Sequence, residues 1–420
     1  MRTRVGVAVA SLAMTTMAAC SAGAAAGPRQ VVDVVLSDFK IDVGGTLVAG
    51  SDAFVEVRND GPTPHNLAID VAGHHHESKT LPIGSADTVE LGELDPGTYT
   101  LWCTISGHRE AGMEATLAVA ASKEEAREEP DAAGATMTPA EMDRLHEAGM
   151  KAFPAKTAAL GGRALEPKMQ DGAKVFELTT APVRWEVSPG QFVDAFAYNG
   201  QIPGPEIRVR TGDRVKVLLH NEMEQSTSIH FHGVTLPYAM DGVPYLTQPP
   251  VKKGETFAYE FTVTDRPGTH MYHSHHNATE QVQRGLLGAF VVEPDVPNGE
   301  VDQTLVLGDG PLGFTINGKG FPATQPVLAG LGDRVYVRFI NAGQLSHPMH
   351  LHGFHFEVVA RDGRPTEPYT VDTLSIGPGE IYDAVFTASS AGAWAFHCHI
   401  LSHAESEHGM HGMVTAVVVK

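Results

Sequence analysis

The chain has 420 residues, which corresponds to about two to four domains of ordinary size. Its hydrophobic content of 42% is typical of globular domains with real cores, and glycine and proline are plentiful, as in turn-rich β proteins. A formal net charge of -20 argues against binding to nucleic acid and against adsorption on anionic lipid, whereas the 22 histidines stand out.

The N-terminus has the pattern of an export signal. Arg2 and Arg4 precede an apolar run that is shorter than the roughly 20 apolar residues of a membrane-spanning helix. The sequence "MAAC" ending at Cys20 resembles a bacterial lipobox, so residues 1–20 are predicted to be a signal peptide of the lipoprotein type. Simple cleavage nearby, with loss of Cys20, is the alternative. We therefore expect an exported protein, either secreted or held at the cell envelope by a lipid anchor on Cys20.

Residues 28–121 contain a first set of metal ligands. Cys103 is followed by His108 after five residues and by Met113 after ten, and His65 lies upstream. Two imidazoles, a thiolate and a weak thioether are the ligands of a blue copper electron-transfer site. Exported proteins usually pair their cysteines, but this spacing predicts a metal thiolate rather than a disulfide.

Residues 122–171 are predicted to be a linker with one short helix. The first part, "ASKEEAREEPDAAGA", is charged and rich in small residues. Thr138 and Glu141 then form a capping box, and Pro139 suits the first helical position. We expect Met142 to pack on a neighbouring domain.

Two further units, 172–295 and 296–420, repeat each other at an interval of 120 residues. "TGDRVKV" begins at Thr211 and "LGDRVYV" at Leu331, and each leads to a His-x-His-Gly sequence. The apolar residues that follow alternate with polar ones, which predicts half-buried strands at Val215–Leu219 and Val335–Phe339. Because "NDGPTPH" at 59–65 also matches "NAGQLSH" at 341–347, we predict an all-β protein of three tandem Greek-key sandwich or barrel domains.

The last unit repeats the ligand set of the first. His347 matches the upstream histidine, and Cys398 is again followed after five residues by a histidine, His403. Met410 and Met413 are both available as the weak axial ligand. Met410 is preferred because "HGM" there leads into the next strand.

The middle unit lacks this set but contributes to a second kind of cluster. Thr227, Ser274 and Thr279 occupy its strong-ligand positions, so no blue site is expected there. Alternate residues of a strand face the same way, so each His-x-His pair can direct two imidazoles at one metal centre. Eight histidines suit three coppers, whereas zinc would need fewer ligands. The four pairs are His230/His232, His273/His275, His350/His352 and His397/His399.

These motifs resemble a known family. "HFHG", "HSH", "HPMHLHG" and "HCHILSH" are similar to the four signatures of the multicopper oxidases, the laccase group. The missing blue site in the middle unit and the preceding "MTPAEMDRLHEAGMKAFPAKT" resemble bacterial two-domain laccases. This resemblance covers about Met137 to Lys420, and "CTISGHREAGM" makes the N-terminal unit similar to plastocyanin-like cupredoxins.

The resemblance implies three cupredoxin-like domains with copper as the cofactor. Residues 28–121 would be a blue copper domain, 172–295 the first oxidase domain and 296–420 the second. His347, Cys398 and His403 would hold type 1 copper with an axial methionine, and His230 and His350 would hold type 2 copper. The type 3 pair would be held by His232, His273, His275, His352, His397 and His399.

The implied reaction joins one-electron oxidation of phenols, amines or low-valent metal ions to four-electron reduction of O₂ to water. In "HCH" the cysteine projects to one face of the strand and its neighbours to the other, so Cys398 is one residue from two type 3 ligands. Asp241, in "MDG", matches an acid that the family places near the cluster, and a proton-relay role follows; a simple Asp-Gly turn is the alternative. A second family acid is replaced by Ala404, followed by Glu405.

The resemblance also implies a homotrimer. Each oxidase domain carries half a cluster, and two-domain members of the family complete the cluster between subunits in a closed ring. The extra blue domain is interpreted as a relay from a redox protein partner, or as a shield or supplier of type 1 copper. The alternatives are a copper-binding or copper-resistance protein without oxidase activity, and a copper nitrite reductase-like electron-transfer enzyme.

Overall fold

A computed structural model describes residues 29–37, 40–61, 63–105, 108–109, 113–128, 138–406 and 408–420. The expected signal peptide and Cys20 lie outside these ranges. Within them the chain forms three β-sandwich units, each built from two main sheets, which confirms the all-β prediction. None of the helices in these ranges has the length and apolar composition needed to cross a bilayer.

The N-terminal unit packs one sheet of four strands against another of five. Its strands are β1 (Gln30–Ser37), β2 (Lys40–Val43), β3 (Leu47–Val48), β4 (Asp52–Asn59), β5 (Ala68–Val71), β6 (His74–Glu77), β7 (Ala86–Glu93), β8 (Gly97–Trp102) and β9 (Glu114–Ala120). The sheet orders are β2-β1-β4-β7 and β3-β9-β8-β5-β6. Val32, Val34 and Leu36 alternate along β1 with less buried residues, so their side chains fill the core between the sheets.

Two helices follow, α1 (Glu125–Glu128) and α2 (Pro139–Ala152). The predicted start of α2 is confirmed, because the Thr138 side chain accepts a hydrogen bond from the Glu141 backbone N–H. Met142 is half-buried, and the Nε2 atom of His146 is 3.1 Å from the carbonyl oxygen of Ser406. The linker helix therefore packs on the loop that follows the third blue-site ligand of the last unit.

The middle unit again has two sheets. Its elements are β10 (Lys168–Gln170), β11 (Ala173–Ser188), β12 (Gln191–Tyr198), β13 (Gly204–Val209), β14 (Arg214–Asn221), β15 (His230–His232), β16 (Thr256–Thr262), β17 (Gly268–His273), α3 (Ala278–Gln283) and β18 (Leu287–Val292), with a 3-10 turn at Tyr238–Met240. One sheet is ordered β10-β11-β14-β16, with β12 paired to β11, and the other β13-β18-β17-β15.

The last unit has sheets of six and five strands and a small hairpin. Its elements are β19 (Val301–Gly308), β20 (Thr315–Ile316), β21 (Val327–Ala329), β22 (Arg334–Asn341), β23 (His347–Leu351), β24 (Phe356–Arg361), β25 (Arg364–Val371), β26 (Thr373–Ile376), β27 (Ile381–Thr387), β28 (Gly392–Cys398), β29 (Glu405–Ser406), β30 (Gly409–Met410) and β31 (Val414–Val419), with a 3-10 turn at Leu401–His403. The main sheets are β20-β19-β22-β27-β24-β25 and β21-β31-β28-β23-β26.

The prediction of half-buried strands holds for β14 and is wrong for β22. In β14 only alternate residues are buried, namely Val215, Val217, Leu219 and Asn221, whereas β22 is buried on both faces from Val335 onward. The second face of β22 lies against the middle unit, where Arg338 donates from Nη1 to Thr269 Oγ1 at 2.7 Å. Within its own unit, Arg338 also donates from Nε to Asp302 at 2.8 Å. A domain interface therefore overrides the exposure that the alternation predicted.

An asparagine recurs at the same place in all three units. The side-chain amide of Asn59 donates to two backbone carbonyls, at 2.7 Å each, and its oxygen accepts from the N–H two residues later. Asn221 and Asn341 make the same three contacts in their units. In the first and last units these hydrogen bonds fix the loop that carries the upstream histidine ligand. The sequence repeat therefore repeats the geometry of this loop as well.

Candidate metal centres

The N-terminal centre brings together three of the predicted ligands, His65, Cys103 and His108, whose donor atoms lie within 4.8 Å of one another. The Cys103 Sγ is 3.5 Å from His108 Nδ1, which is 3.1 Å from His65 Nδ1. On the far side of the ring, His65 Nε2 is 2.9 Å from the Thr63 hydroxyl, which orients Nδ1 toward the cysteine. Met113 is fully buried, and its backbone N–H and carbonyl bond to His108 and Cys103.

The C-terminal centre repeats this arrangement. The Cys398 Sγ is 3.6 Å from His403 Nδ1 and 3.9 Å from His347 Nδ1, and all three residues are buried. Strand β28 presents the cysteine and the 3-10 turn after it presents His403. Thiolate and imidazole donors within one small, rigid space suit a copper ion that alternates between its two oxidation states.

The backbone places Met413, not the expected Met410, in the position equivalent to Met113. The Met413 N–H donates to the His403 carbonyl at 2.9 Å, and the Met413 carbonyl accepts from Cys398 at 3.0 Å, as in the N-terminal unit. Met413 is fully buried. Met410 lies on the hairpin strand β30, half-buried, and packs with the cluster around Phe321. The hairpin absorbs the extra residues between the histidine and the methionine, which spacing alone could not locate.

Asp309 is a site residue that the sequence reasoning missed. Its carboxylate accepts from His347 Nε2 at 3.1 Å and from the backbone N–H groups of Gln344 at 2.9 Å and Leu345 at 3.0 Å. Burial works to raise the pKa of Asp309, but these hydrogen bonds outweigh it and the pKa is lowered. A Cβ at Gly343 would overlap the carboxylate. The ionised Asp309 therefore holds the His347 ring with Nδ1 directed at the cysteine.

Burial raises the pKa of the Cys398 thiol to about 12. Without metal, the cysteine is therefore protonated at neutral pH. Copper binds the thiolate, so binding at this centre must release a proton.

The four His-x-His pairs form two sets. In the middle unit, antiparallel β15 and β17 pair His230 with His273. The ring centroid of His230 lies 5.4 Å from that of His273 and 5.6 Å from that of His275. His232 lies 5.8 Å from His273 by ring centroids. These imidazoles converge on one space, as the alternation along each strand predicted.

The last unit builds the second set on β23 and β28. Register pairs His350 with His397, whose ring centroids are 5.8 Å apart, and His350 is 5.4 Å from His399. The Nε2 atoms of His352 and His397 are 3.1 Å apart. Since Cys398 alternates with these histidines along β28, its side chain lies in the buried blue centre on the opposite face.

Backbone carbonyls fix the orientation of four of these rings. Nδ1 of His230 donates to the Asp241 carbonyl at 2.7 Å, and His350 donates to the Asp372 carbonyl at 3.0 Å. His273 and His397 make the same kind of bond to the carbonyl of the next residue. A carbonyl only accepts, so Nδ1 carries the proton and Nε2 keeps its lone pair for a metal.

Burial also lowers the pKa of imidazoles in both sets. It lowers the pKa of His273 to about 4, and it lowers the pKa of His232 and His397, with neighbouring histidines adding to the effect. These rings are therefore neutral at neutral pH, which is the form that binds metal.

The two sets remain apart within one chain. Ring contacts join histidines inside each set, and among the described residues none joins one set to the other. His275, His352 and His399 are exposed. Each set is thus an open group of four imidazoles at the surface of its unit.

A hydrogen-bond network occupies the position of the blue site in the middle unit. The Thr227 and Ser274 hydroxyls bond to Gln281 Oε1 at 2.9 and 2.6 Å, and all three side chains are buried. Thr279, which the spacing had matched to the third ligand, is exposed. The network contains no sulfur or imidazole donor, which agrees with the expectation that this unit has no blue site.

Asp241 lies beside the first histidine set. One carboxylate oxygen is 3.4 Å from His230 Nδ1, and the Asp241 side chain remains partly exposed to solvent. Gly242 follows with a φ of +88°, and a Cβ there would overlap the Ile229 carbonyl. Asp241 is therefore both part of a tight Asp-Gly turn and a carboxylate beside the histidine set, so the two alternatives describe the same feature.

Comparisons with known proteins agree with the donor chemistry. The family model described as "Multicopper oxidase" matches residues 179–297, and a second model of that description matches residues 297–420. A model described as "Cupredoxin-like domain" matches residues 8–119. The solved "Blue Copper Oxidase from Nitrosomonas europaea" is 33% identical with a TM-score of 0.55, over 58% of this chain and 85% of that chain.

Two curated proteins are similar over more than half of the chain. A "Probable nitrite reductase-hydroxylamine oxidoreductase fusion protein" of Kuenenia stuttgartiensis is 31% identical over 60% of this chain and 32% of its own length. "Laccase-1" of Cryptococcus neoformans var. grubii is 30% identical over 54% of this chain and 45% of its own length. The chain therefore spans less than half the length of these curated relatives.

Proposed function

Because the chain belongs to the multicopper oxidase family, we propose that it oxidises a reducing donor one electron at a time and reduces O₂ to water. Copper, when bound, supplies one-electron redox chemistry at the blue centres and four-electron reduction of O₂ at a trinuclear centre. The proposed donors are phenols, amines or low-valent metal ions. His347, Cys398 and His403 would hold type 1 copper, with Met413 as a further, weaker ligand.

The single observation that carries this proposal is the position of Cys398 between two ligands of the other cluster. Its Sγ lies in the buried blue centre, while its two chain neighbours, His397 and His399, belong to the open histidine set. The blue centre is therefore joined to the histidine set through a single residue step of the backbone, both before and after Cys398. A short covalent path of this kind suits an enzyme that moves electrons from a donor site to an oxygen site.

The decisive experiment measures O₂ uptake by the copper-loaded protein with a phenol and, separately, with Cu(I). We expect uptake with one donor at least, and its loss in Cys398→Ser. Bound copper without O₂ uptake from either donor would instead support a copper-binding or copper-resistance protein. Nitrite consumption in the absence of oxygen would support the nitrite reductase-like alternative, which Ser274 disfavours because it replaces the cysteine of the middle unit.

Asp241 is proposed to relay protons to the oxygen site. Its carboxylate is within 3.4 Å of His230 Nδ1 and is 40% exposed by side chain, so it contacts both the ligand group and solvent. Asp241→Asn keeps the shape of the turn but removes the ionisable group. We expect slower O₂ reduction with unchanged copper content and unchanged reduction of the blue centres by the donor without oxygen.

We also propose a homotrimer in which each trinuclear centre forms between two subunits. The separation of the two histidine sets within one chain and the exposure of His275, His352 and His399 support this arrangement. Light scattering is expected to give three subunits for the active species, and a fully active monomer would overturn the proposal.

Export with a lipid anchor on Cys20 is likewise proposed, together with domain limits at 28–121, 172–295 and 296–420.

A further inference from the structure

The two blue centres face each other across one aromatic ring. Phe314 stacks on His403 of the C-terminal centre, with ring centroids 3.8 Å apart and planes 14° from parallel. Its ring is also stacked with His108 of the N-terminal centre, at 5.8 Å and 20°. Each of these histidines has its Nδ1 within 3.6 Å of the cysteine of its own centre. A single side chain thus separates one ligand of each centre.

The surrounding chain holds Phe314 in this position. It is 2% exposed and lies in the loop between β19 and β20 that also carries Asp309. Its Cβ lies close to Gly412, where an added Cβ would be 3.1 Å away and would also overlap the His403 carbonyl. On the N-terminal side, Thr63 and Pro64 line the narrow gap beside His108 and Phe314.

The same contact closes this side of both centres to donors. His403 is 4% exposed and His108 is 2% exposed, so neither ring edge is open to a molecule in solution. His403 is covered by Phe314 of its own unit, and Phe314 is stacked in turn with His108. A donor molecule must therefore approach either centre from another side, whereas these two histidines face each other through Phe314.

We propose that Phe314 is the coupling contact through which electrons pass from the N-terminal blue centre to the C-terminal one. The donor loses one electron to the N-terminal centre, and the same electron then moves on to the C-terminal centre. No bond forms or breaks and no proton is transferred in this step, because the imidazoles keep their ligand atoms. Phe314 is a positioning residue and does not itself react. The inference rests on the proposed oxidase function only for the last step, in which the electron is used to reduce O₂.

The test compares Phe314→Leu with Phe386→Leu in the full copper-loaded chain. Phe386 is 4% exposed in the same core cluster, and its ring contacts are with Phe354 and Phe356, so its variant controls for the lost core volume. Without oxygen, a radiation pulse generates a one-electron organic radical, and the absorption of the two centres is followed as the electron redistributes. Cys398→Ser and Cys103→Ser provide the spectra of the single centres.

We expect Phe314→Leu to slow the redistribution several-fold relative to Phe386→Leu, and Phe314→Tyr, which keeps the ring, to restore it. An independent measurement uses the metal-free protein: removal of the ring should shift the NMR signals of both His108 and His403, whereas Phe386→Leu should not. Equal redistribution rates in the two leucine variants would overturn the coupling role. If Phe314→Leu does not fold, a missing joint NMR shift in Phe314→Met would overturn the contact.

Cys103→Ser provides a further check. Because it removes the N-terminal centre, no redistribution between two centres should remain in this variant. A redistribution phase of unchanged rate and size in Cys103→Ser would overturn the assignment of that phase to electron transfer between the centres. Because the pulse and NMR measurements need no oxygen, a protein that fails to reduce O₂ would still report on the contact, so failure of the oxidase proposal is distinguishable.

Discussion

Asp309 offers a direct test of how the C-terminal centre is tuned. The change Asp309→Asn keeps size and shape but removes the negative charge that faces His347 Nε2 and two backbone N–H groups. Hydrogen bonds to charged groups contribute about 1.5–3 kcal/mol and neutral ones about 0.5–1.5, so each of the three contacts should weaken by about 1 kcal/mol. Solvent screens little of this, because Asp309 is 6% exposed.

The expected result is a loss of about 3 kcal/mol in the unfolding free energy of the metal-free protein. Copper affinity at this centre should fall by about 10- to 100-fold, as for other residues that orient a metal-binding histidine. Affinity is measured by competition with a chelator in a Cys103→Ser background, which removes the N-terminal blue centre. Chemical unfolding of the metal-free protein gives the stability.

Asp333→Asn is the matched control. Asp333 also accepts a backbone N–H through its carboxylate, from Gly330 at 2.6 Å, but it lies in the turn before β22 and contacts no copper ligand. Its variant should lose stability with unchanged copper affinity. If Asp309→Asn binds copper as tightly as Asp333→Asn does, then the carboxylate does not position His347, and the reasoning from its hydrogen bonds is refuted.

Three further predictions concern the same units. Met413→Leu should change the EPR spectrum of the C-terminal blue centre, whereas Met410→Leu should leave it unaltered; both swaps nearly conserve volume and should cost less than about 1.5 kcal/mol. Because the pKa of Cys398 is raised to about 12, its thiol stays protonated over the physiological range, and copper affinity at this centre should rise by about tenfold per pH unit, with a pH-independent affinity contradicting thiol deprotonation. Arg338→Met should lower the unfolding free energy of the metal-free protein by about 1–3 kcal/mol, since it removes the hydrogen bonds of a buried guanidinium to Asp302 and Thr269 while Asp302 keeps Arg208 at 3.1 Å; Arg334→Met, on an exposed part of the same strand, should cost far less.

The parts of the site that follow strand periodicity could be predicted from the sequence. A period of two places His350 and His352 on one face, and it places Cys398 opposite His397 and His399, without knowledge of the rest of the fold. The helix start at Thr138 is equally local, because a capping box satisfies N–H groups within its own turn. Predictions of this kind need only neighbours in the chain.

Predictions that depend on loops or on other domains could not be made this way. The choice between Met410 and Met413 depends on a hairpin that forms within the ligand loop, and spacing does not reveal a hairpin of two-residue strands. Asp309 lies 38 residues before His347 and carries no motif of its own. The second buried face of β22 exists only because the middle unit packs on it.

The middle unit indicates what the shared scaffold does and does not determine. Asn221 makes the same three hydrogen bonds as its counterparts in the other units, so the loop geometry of a blue site is present there. Hydroxyl and amide groups of Thr227, Ser274 and Gln281 occupy that geometry and satisfy one another. The fold therefore supplies a pre-shaped position three times, and the side chains decide its chemistry each time. The two positions that carry blue-site ligands are the ones that face each other across Phe314. The packing of the first unit against the last is therefore part of the proposed electron path.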